Sequence, residues 1–162
     1  MTGAVLFIAF LLAQRLGELV WARANTRYLL ARGAREYGAA HYPLIVALHA
    51  AWLGCIAVFG WDRPVHAGML AVFVLLQIAR LWVLASLGRR WTTRIIVPDE
   101  PLVRRGPYRF LPHPNYLVVV AEIAVAPMVL GLVWVAAVFT VLNALMLTIR
   151  IRAENEALRG LR

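Results

Sequence analysis

Two short groups of polar residues in the C-terminal half of the chain have residue types and spacing suited to chemistry. The first is the stretch 101–116, Pro-Leu-Val-Arg-Arg-Gly-Pro-Tyr-Arg-Phe-Leu-Pro-His-Pro-Asn-Tyr. A proline on each side holds His113 in extended geometry, and Pro114 suits the first position of a new helix. Backbone N–H groups at such a helix start attract a carboxylate or a phosphate. The stretch therefore predicts an anion-attracting loop that presents His113, Asn115 and Tyr116.

The second group is Arg150 with Glu154. The two residues are four positions apart, so they lie on one face of the last helix. Glu154 suits the ribose hydroxyls or the amino group of a nucleoside ligand, and Arg150 suits an anionic substrate group. The alternative is an ordinary surface ion pair worth about 0.3–0.5 kcal/mol. Arginine before glutamate is the less favourable order for such a pair, and spacing alone leaves both interpretations open.

The composition predicts a membrane protein. Hydrophobic residues make up 62% of the 162 positions, which is too much apolar surface for so short a chain to bury without lipid. The 17 basic residues are all arginine, against 8 acidic residues, and the net charge is +9. The arginines cluster at the ends of apolar runs, where lipid headgroups lie, so we expect contact with anionic lipid and no nucleic-acid partner.

Neither a disulfide nor a metal site is expected. Cys55 is the single cysteine and lies inside an apolar run. His49 also lies within an apolar run, and no second histidine or carboxylate stands at ligand spacing on that predicted helix. His49 is therefore interpreted as a hydrogen-bonded histidine of the bundle.

The apolar runs predict five helices. The first three cover about residues 4–21, 44–60 and 65–87. The fourth run, 114–149, would form a helix about 54 Å long at 1.5 Å per residue, whereas the hydrocarbon core is only about 30 Å thick. The run must fold back, and Pro127 with Gly131 marks the turn. The prediction is an all-α polytopic membrane protein of about five transmembrane helices, ending in a C-terminal helical hairpin.

Ionisable residues inside two of these spans are expected to face the bundle. Arg15 and Glu18 are three positions apart and can pair on one helix face. Gln77 and Arg80 have the same spacing, and Arg80 lies deep enough that it must face other helices or reach an interface. An ion pair that stabilises the bundle is favoured over direct substrate contact.

The connections predict the orientation of a single domain. The three strongly basic segments are 23–41, 88–113 and 150–162. By the positive-inside rule they face the cytoplasm and the N-terminus faces outward, in a bacterial-type inner or plasma membrane. A short interfacial helix is expected around residues 28–31. Within the single domain, 1–162, residues 1–87 form three spans, and residues 88–162 form the loop, the hairpin and the C-terminal helix.

The polar motifs also resemble those of a known family. Leu-Val-x-x-Gly-x-Tyr begins at Leu102, x-His-Pro-x-Tyr ends at Tyr116, and Arg-x-x-x-Glu begins at Arg150. Together these are similar to the isoprenylcysteine carboxyl methyltransferase family, integral membrane enzymes that use S-adenosylmethionine and are related to the phospholipid N-methyltransferases. The resemblance covers roughly residues 93–158. Pro112 stands where the family usually has arginine, and Asn155 stands where it usually has a second glutamate.

The resemblance implies a set of site residues. The cofactor-binding residues would be Glu100, Pro101, Leu102, Val103, Tyr108, His113, Pro114, Asn115, Tyr116 and Glu154. Arg150 would lie on the substrate side as the catalytic residue. The methionine carboxylate suits the start of the new helix, and a sulfonium is attracted to aromatic faces. Arg94, Arg105 and Arg109 all stay open as replacements for the cation missing at position 112.

The function implied is an S-adenosylmethionine-dependent O-methyltransferase at the cytoplasmic membrane face. Its acceptor would be a carboxylate, or an enol or phenol oxygen, on a lipophilic molecule. Transfer from a sulfonium needs aligned and desolvated reactants and no metal. Two alternatives stay open: a phospholipid N-methyltransferase, and a non-catalytic membrane protein that binds lipid or assists assembly. Membrane lipids and the lipophilic acceptor are the expected partners.

Overall fold

The computed structural model describes residues 1–159 and consists of five long helices with two short strands. The helices are α1 Thr2–Leu30, α2 Tyr42–Gly60, α3 Ala67–Leu87, α4 Pro114–Val129 and α5 Val133–Ala157. The strands are β1 Arg35–Tyr37 and β2 Ile95–Val97. Every helix except α4 is long and apolar enough to cross a membrane. The prediction of a polytopic all-α membrane protein is confirmed.

The helix α1 extends further than its apolar residues alone indicated. It has 29 residues, which corresponds to about 44 Å. No glycine or proline occurs between Trp21 and Arg32, so the helix continues until Gly33, whose φ of 85° ends the regular backbone. The separate interfacial helix predicted around residues 28–31 was therefore wrong, because these residues form the last turn and the cap of α1.

The predicted C-terminal hairpin is present, and its turn lies where Pro127 and Gly131 indicated. Helix α4 ends at Val129, and Gly131 takes a φ of 69°, a left-handed conformation that glycine adopts without strain. The backbone N–H groups of Leu130 and Leu132 both donate to the Pro127 carbonyl, at 3.1 and 3.0 Å. Helix α5 therefore runs back toward the end of the bundle where α4 begins.

The distribution of apolar side chains fits a bilayer. Inside the bundle, Phe7 and Phe73 meet edge to face at 5.2 Å, and Trp52 is fully buried. On the outside, Leu81 and Leu145 are 66% and 61% exposed. Large apolar side chains over the outer surface face hydrocarbon at no cost, whereas water would disfavour them.

Four charged side chains form a buried cluster that joins three helices, and we call Arg15, Glu18, Arg80 and Glu122 the ion cluster. The Arg80 guanidinium donates to both Glu18 carboxylate oxygens at 2.5 Å and to Glu122 Oε2 at 2.6 Å. Arg15 Nη2 donates to Glu122 Oε2 at 2.7 Å. The predicted Arg15–Glu18 pair is present at 3.3 Å, and Arg80 faces the bundle as expected. The cross-helix partner Glu122 was not predicted.

A small sheet connects two of the basic segments at one end of the bundle. Strands β1 and β2 pair antiparallel, with Arg35 opposite Val97 and Tyr37 opposite Ile95. Each strand has three residues, too few for the alternation that reveals a strand in sequence. The C-terminal helix joins the same end, because Arg150 Nη2 donates to the Thr93 carbonyl at 2.7 Å. The three basic segments therefore share one end, and its assignment to the cytoplasm stays a prediction.

Candidate active site

The loop before α4 is seated on the end of α3. Gly106 has a φ of 57° and opens a 3₁₀ turn, Gly106–Arg109. A Cβ at Gly106 would collide with the Ser86 hydroxyl, so only glycine allows this close approach. Arg105 Nε donates to the Ser86 carbonyl at 2.8 Å. These contacts determine where Tyr108, on the 3₁₀ turn, meets the site.

Helix α4 begins at Pro114, as the sequence predicted, and His113 is its capping residue. The Tyr116 backbone N–H donates to the His113 carbonyl at 3.2 Å. The His113 ring stacks on the Tyr116 ring, with centroids 5.4 Å apart and planes 26° apart. The first turn of α4 therefore presents two stacked rings toward α5.

The Tyr116 hydroxyl connects the two residues of the Arg-x-x-x-Glu motif. Arg150 Nε donates to Tyr116 Oη at 2.9 Å, and the Tyr116 hydroxyl in turn donates to Glu154 Oε2. Within residues 1–159, no ion pair of 4 Å or less joins Arg150 directly to Glu154. The interpretation as a simple surface ion pair is therefore wrong, because both side chains turn inward to α4.

Asn155 contacts His113. Its Oδ1 lies 3.2 Å from His113 Nε2, while Glu154 Oε1 lies 3.7 Å from His113 Nδ1. The imidazole is thus held between a carboxylate and an amide. At this position, where the resemblance leads one to expect a second glutamate, the amide keeps a polar contact without adding a charge.

A cavity of about 410 Å³ with both polar and apolar walls opens beside these residues, and we call it the polar cavity because several charged side chains line it. Eight of the ten residues predicted to bind the cofactor line it: Glu100, Leu102, Val103, Tyr108, His113, Asn115, Tyr116 and Glu154. The other two do not. Pro114 is buried as the first residue of α4, and the Pro101 carbonyl accepts a hydrogen bond from Arg90 Nη1 at 2.5 Å. Arg150 lines the cavity as well.

The structure separates the three arginines considered as replacements for the missing cation. Arg94 lines the polar cavity, although Nη1 also pairs with Glu36 Oε1 at 2.8 Å. Arg105 and Arg109 lie outside its lining. Arg104, which the sequence analysis did not single out, lines the cavity and makes no ion pair within the described range 1–159. Arg104 occupies a variable position of the Leu-Val-x-x-Gly-x-Tyr motif, so the motif did not indicate this residue.

Other lining residues that the sequence did not indicate come from the segment before the loop. Trp91, Thr92 and strand β2 form one wall of the polar cavity. Tyr108 also lines this cavity; burial raises the pKa of its hydroxyl, and the nearby Glu154 carboxylate raises it further. Tyr108 therefore stays neutral and offers an aromatic face to a ligand.

A second, mostly apolar cavity of about 340 Å³ extends from this site into the bundle. Its apolar walls come from α1, α2 and α5 and include Leu12, Leu16, Ile45, Leu48, Leu53 and Met146. Five residues line both cavities: Trp91, Thr92, Asn115, Tyr116 and Arg150. The polar and the apolar cavity therefore meet at the start of α4 and the Arg150 side chain.

His49 is one of the polar residues of the second cavity. In the portion of the chain that the structure describes, no three histidine, cysteine, aspartate or glutamate side chains come together as metal ligands. His49 lines the cavity, and its Nδ1 lies 2.9 Å from the Ile45 carbonyl. It is the hydrogen-bonded histidine that the sequence predicted.

Comparison with known proteins agrees with the motifs. The sequence model of the isoprenylcysteine carboxyl methyltransferase family matches residues 69–160. An uncharacterised protein of Bacillus subtilis (strain 168), YpbQ, is 40% identical over 160 residues, which cover 95% of each chain. An uncharacterised protein of Haemophilus influenzae (strain ATCC 51907 / DSM 11121 / KW20 / Rd) is 24% identical over 94% of this chain and 93% of its own. No solved structure matches the chain significantly. With its apolar helices and its two adjoining cavities, the chain belongs to the isoprenylcysteine carboxyl methyltransferase family and is a membrane methyltransferase.

Proposed function

We propose that this protein transfers a methyl group from S-adenosylmethionine to an oxygen of a lipophilic acceptor, either a carboxylate or an enol or phenol. The observation that carries the proposal is the junction of a polar and an apolar cavity at Tyr116, Asn115 and Arg150. A charged, water-soluble donor suits the polar cavity, and a lipid-soluble acceptor suits the apolar one. The junction is where their reacting atoms would meet.

The polar cavity offers partners to the ribose and to the carboxylate of the proposed donor. Glu154, held by the Tyr116 hydroxyl, offers carboxylate oxygens to ribose hydroxyls or to an amino group. Arg104, with no ion-pair partner in residues 1–159, offers a cation to the methionine carboxylate, and the N–H groups that begin α4 attract the same carboxylate. When bound, S-adenosylmethionine supplies a methyl group already activated on a positively charged sulfur.

On the side of the polar cavity, residues at the junction can stabilise a cation such as the sulfonium of the donor. The Asn115 side-chain oxygen is buried and has no hydrogen-bond partner among the described residues, so its partial negative charge is available there. The Tyr108 ring lines the same polar cavity. Aromatic faces and an unpaired amide oxygen both attract a positive group, and buried Trp91 helps to exclude water.

Arg150 suits an anion on the other side of the junction. Its Nε is engaged by Tyr116 and its Nη2 by the Thr93 carbonyl, so the guanidinium is held in place while further N–H donors stay available. A positioned guanidinium holds a carboxylate, enolate or phenolate oxygen in its anionic, nucleophilic form. An anionic acceptor gains from this charge and a neutral amine does not, which favours O-methylation over N-methylation.

The experiment compares Glu154→Ala with Arg150→Ala in detergent-purified protein. Glu154→Ala is expected to weaken S-adenosylmethionine binding by roughly 1.5–3 kcal/mol, about ten- to a hundredfold in Kd, because it removes a charged hydrogen-bond acceptor. Arg150→Ala is expected to leave that Kd within a few-fold and to depress turnover of an anionic acceptor. Calorimetry measures the affinity, and methyl transfer is assayed with long-chain acids, long-chain phenols and phosphatidylethanolamine.

Matched controls come from the same helix. Arg152→Ala and Glu156→Ala remove exposed charges that line neither cavity, so both readouts should stay at the wild-type level. Equal and small effects of Glu154→Ala and Arg150→Ala would contradict the assigned roles. Methylation of phosphatidylethanolamine alone would indicate the N-methyltransferase. A folded protein that binds no cofactor would indicate a non-catalytic membrane protein.

A further inference from the structure

The membrane-buried end of the apolar cavity contains polar groups that the proposed methyl transfer does not use. Asn143 is 3% exposed and lines this cavity, and its Nδ2 has no hydrogen-bond partner among the described residues. Arg15 lines the same cavity, and its Nε is buried without a partner. An unsatisfied buried donor is costly, and it is more so where water is scarce. Two such donors on residues that line one cavity point to a ligand oxygen.

The depth of this end follows from the two helices that carry it. At the shallow end, the Tyr42 hydroxyl lies 3.0 Å from Thr93 Oγ1, and Arg150 donates to the Thr93 carbonyl. His49 lies seven residues after Tyr42 on α2, and Asn143 lies seven residues before Arg150 on α5. Seven residues are about two helical turns, or about 10.5 Å. The helices run in opposite directions, so His49 and Asn143 lie at a similar depth.

The hydrogen-bonding character of this end is mixed. The Ile45 carbonyl can only accept, so His49 Nδ1 is the donor in their 2.9 Å contact. In the neutral ring, Nε2 is then an acceptor. Asn143 Nδ2 and Arg15 Nε are donors, and the charge of Arg15 is already compensated by Glu18 and Glu122. A neutral group that both donates and accepts fits this arrangement, and a hydroxyl is the simplest such group.

We propose that Asn143, His49 and Arg15 form a hydroxyl-binding subsite in the acceptor cavity. The subsite would select lipophilic acceptors that carry a hydroxyl about 10 Å from the methylated oxygen, a span of roughly eight bonds in an extended chain. That methylation takes place at the shallow end of the cavity rests on the proposed function. Occupation of the deep end is a binding property, and it is measurable without turnover.

The test uses stearic acid and three monohydroxylated isomers, with the hydroxyl next to the carboxyl group, in mid-chain, or at the methyl end. Calorimetry on detergent-purified protein gives the Kd of each. The wild-type protein is expected to bind the mid-chain isomer about tenfold more tightly than the other three, the effect of one buried hydrogen bond. Asn143→Leu, close in size and apolar, is expected to lose that preference and to bind stearic acid as before. Thr148→Val, an exposed position of α5 outside the cavity, is the matched control.

The outcomes separate this proposal from the proposed function. Equal wild-type affinity for all four acids, or no binding of any, would overturn the subsite whether or not Asn143→Leu folds. If Asn143→Leu still binds the mid-chain isomer more tightly than the other acids, Asn143 is not part of the subsite. Methyl transfer from S-adenosylmethionine is followed in parallel. Selective binding without methylation of any acid would count against the proposed function and support the subsite. Methylation of the acids together with equal affinity for all four would support the proposed function and overturn the subsite.

Discussion

At the residue scale, one hydroxyl determines how the two charged side chains of the candidate site are directed. Tyr116 accepts a hydrogen bond from Arg150 and donates one to Glu154, so a single hydroxyl holds both a cation and an anion. Glu154 lines only the polar cavity, whereas Arg150 lines both. Under the proposed function, the division between donor and acceptor binding therefore depends on where this phenol lies.

Tyr116→Phe is expected to reduce kcat/KM for methyl transfer roughly five- to tenfold, because each lost hydrogen bond is worth about 1 kcal/mol and those to charged groups somewhat more. The ring remains, so the stacking on His113 persists. Cofactor affinity should fall less than in Glu154→Ala. Kinetics with calorimetry measure both quantities. Tyr28→Phe, a tyrosine that lines neither cavity, is the control. An unchanged kcat/KM in Tyr116→Phe would show that the hydroxyl does not orient the site.

At the element scale, the ion cluster ties α1, α3 and α4 together below the candidate site. Charges inside a bilayer are tolerated when they are paired, and the two arginines and two glutamates of the ion cluster compensate each other. Gln77 adds a hydrogen bond from Nε2 to Glu122 Oε1 at 2.8 Å, and Gln14 bridges to Gln77 at 2.7 Å. The network holds α4, whose first turn carries Tyr116, at a defined position against α3.

Removal of the central cation should therefore destabilise the bundle strongly. Arg80→Ala leaves the Glu18 and Glu122 carboxylates short of a partner, and breaking a buried pair in this way costs about 3–5 kcal/mol. Denaturant unfolding in detergent micelles measures the loss in the free energy of unfolding. Arg152→Ala removes an exposed arginine from α5 and should change it by less than about 0.5 kcal/mol. A similar unfolding midpoint for both variants would mean that the ion cluster contributes no net stability.

At the scale of the whole molecule, the bundle separates a polar end from apolar sides. The basic segments, the small sheet and the polar cavity lie at one end, while the exposed side chains along the helices are apolar. Under the proposed function, a water-soluble donor enters the polar cavity from that end, and a lipid-soluble acceptor enters the apolar cavity from the bilayer. The side of the membrane on which the polar end lies then decides which compartment supplies the donor.

The excess of arginine predicts that this end faces the cytoplasm. A reporter fused at the C-terminus should report a cytoplasmic position, and one inserted in the turn 62–64 should report an external position. An insertion at the turn around Gly33 should agree with the C-terminal fusion, because β1 lies at the same end of the bundle as the end of α5. External signals at the C-terminus and at Gly33 would reverse the orientation and place the donor cavity outside.

The sequence by itself determined the number of helices, their approximate bounds and the residues at the start of α4. These features depend on local physics. The length of an apolar run sets a span, Pro114 begins a helix, and Pro127 with Gly131 ends one. The motif residues were likewise local, since each lies within a few positions of the next. The extension of α1 was missed because its last turns carry arginines, and a charged segment after an apolar run is typical of a connection between spans. No residue in that segment breaks a helix.

Tertiary structure alone decided which faces of these helices meet. Lipid and protein interior are equally apolar, so the hydrophobic pattern of a span does not reveal which side is buried. The pairing of Arg15 with Glu122, 107 positions apart, therefore had no sequence signal. Neither did the pairing of β1 with β2, the direction of Arg104, or the contact of two cavities at Tyr116 and Arg150. Each depends on the rotation and crossing of whole helices, which only packing and the paired buried charges determine.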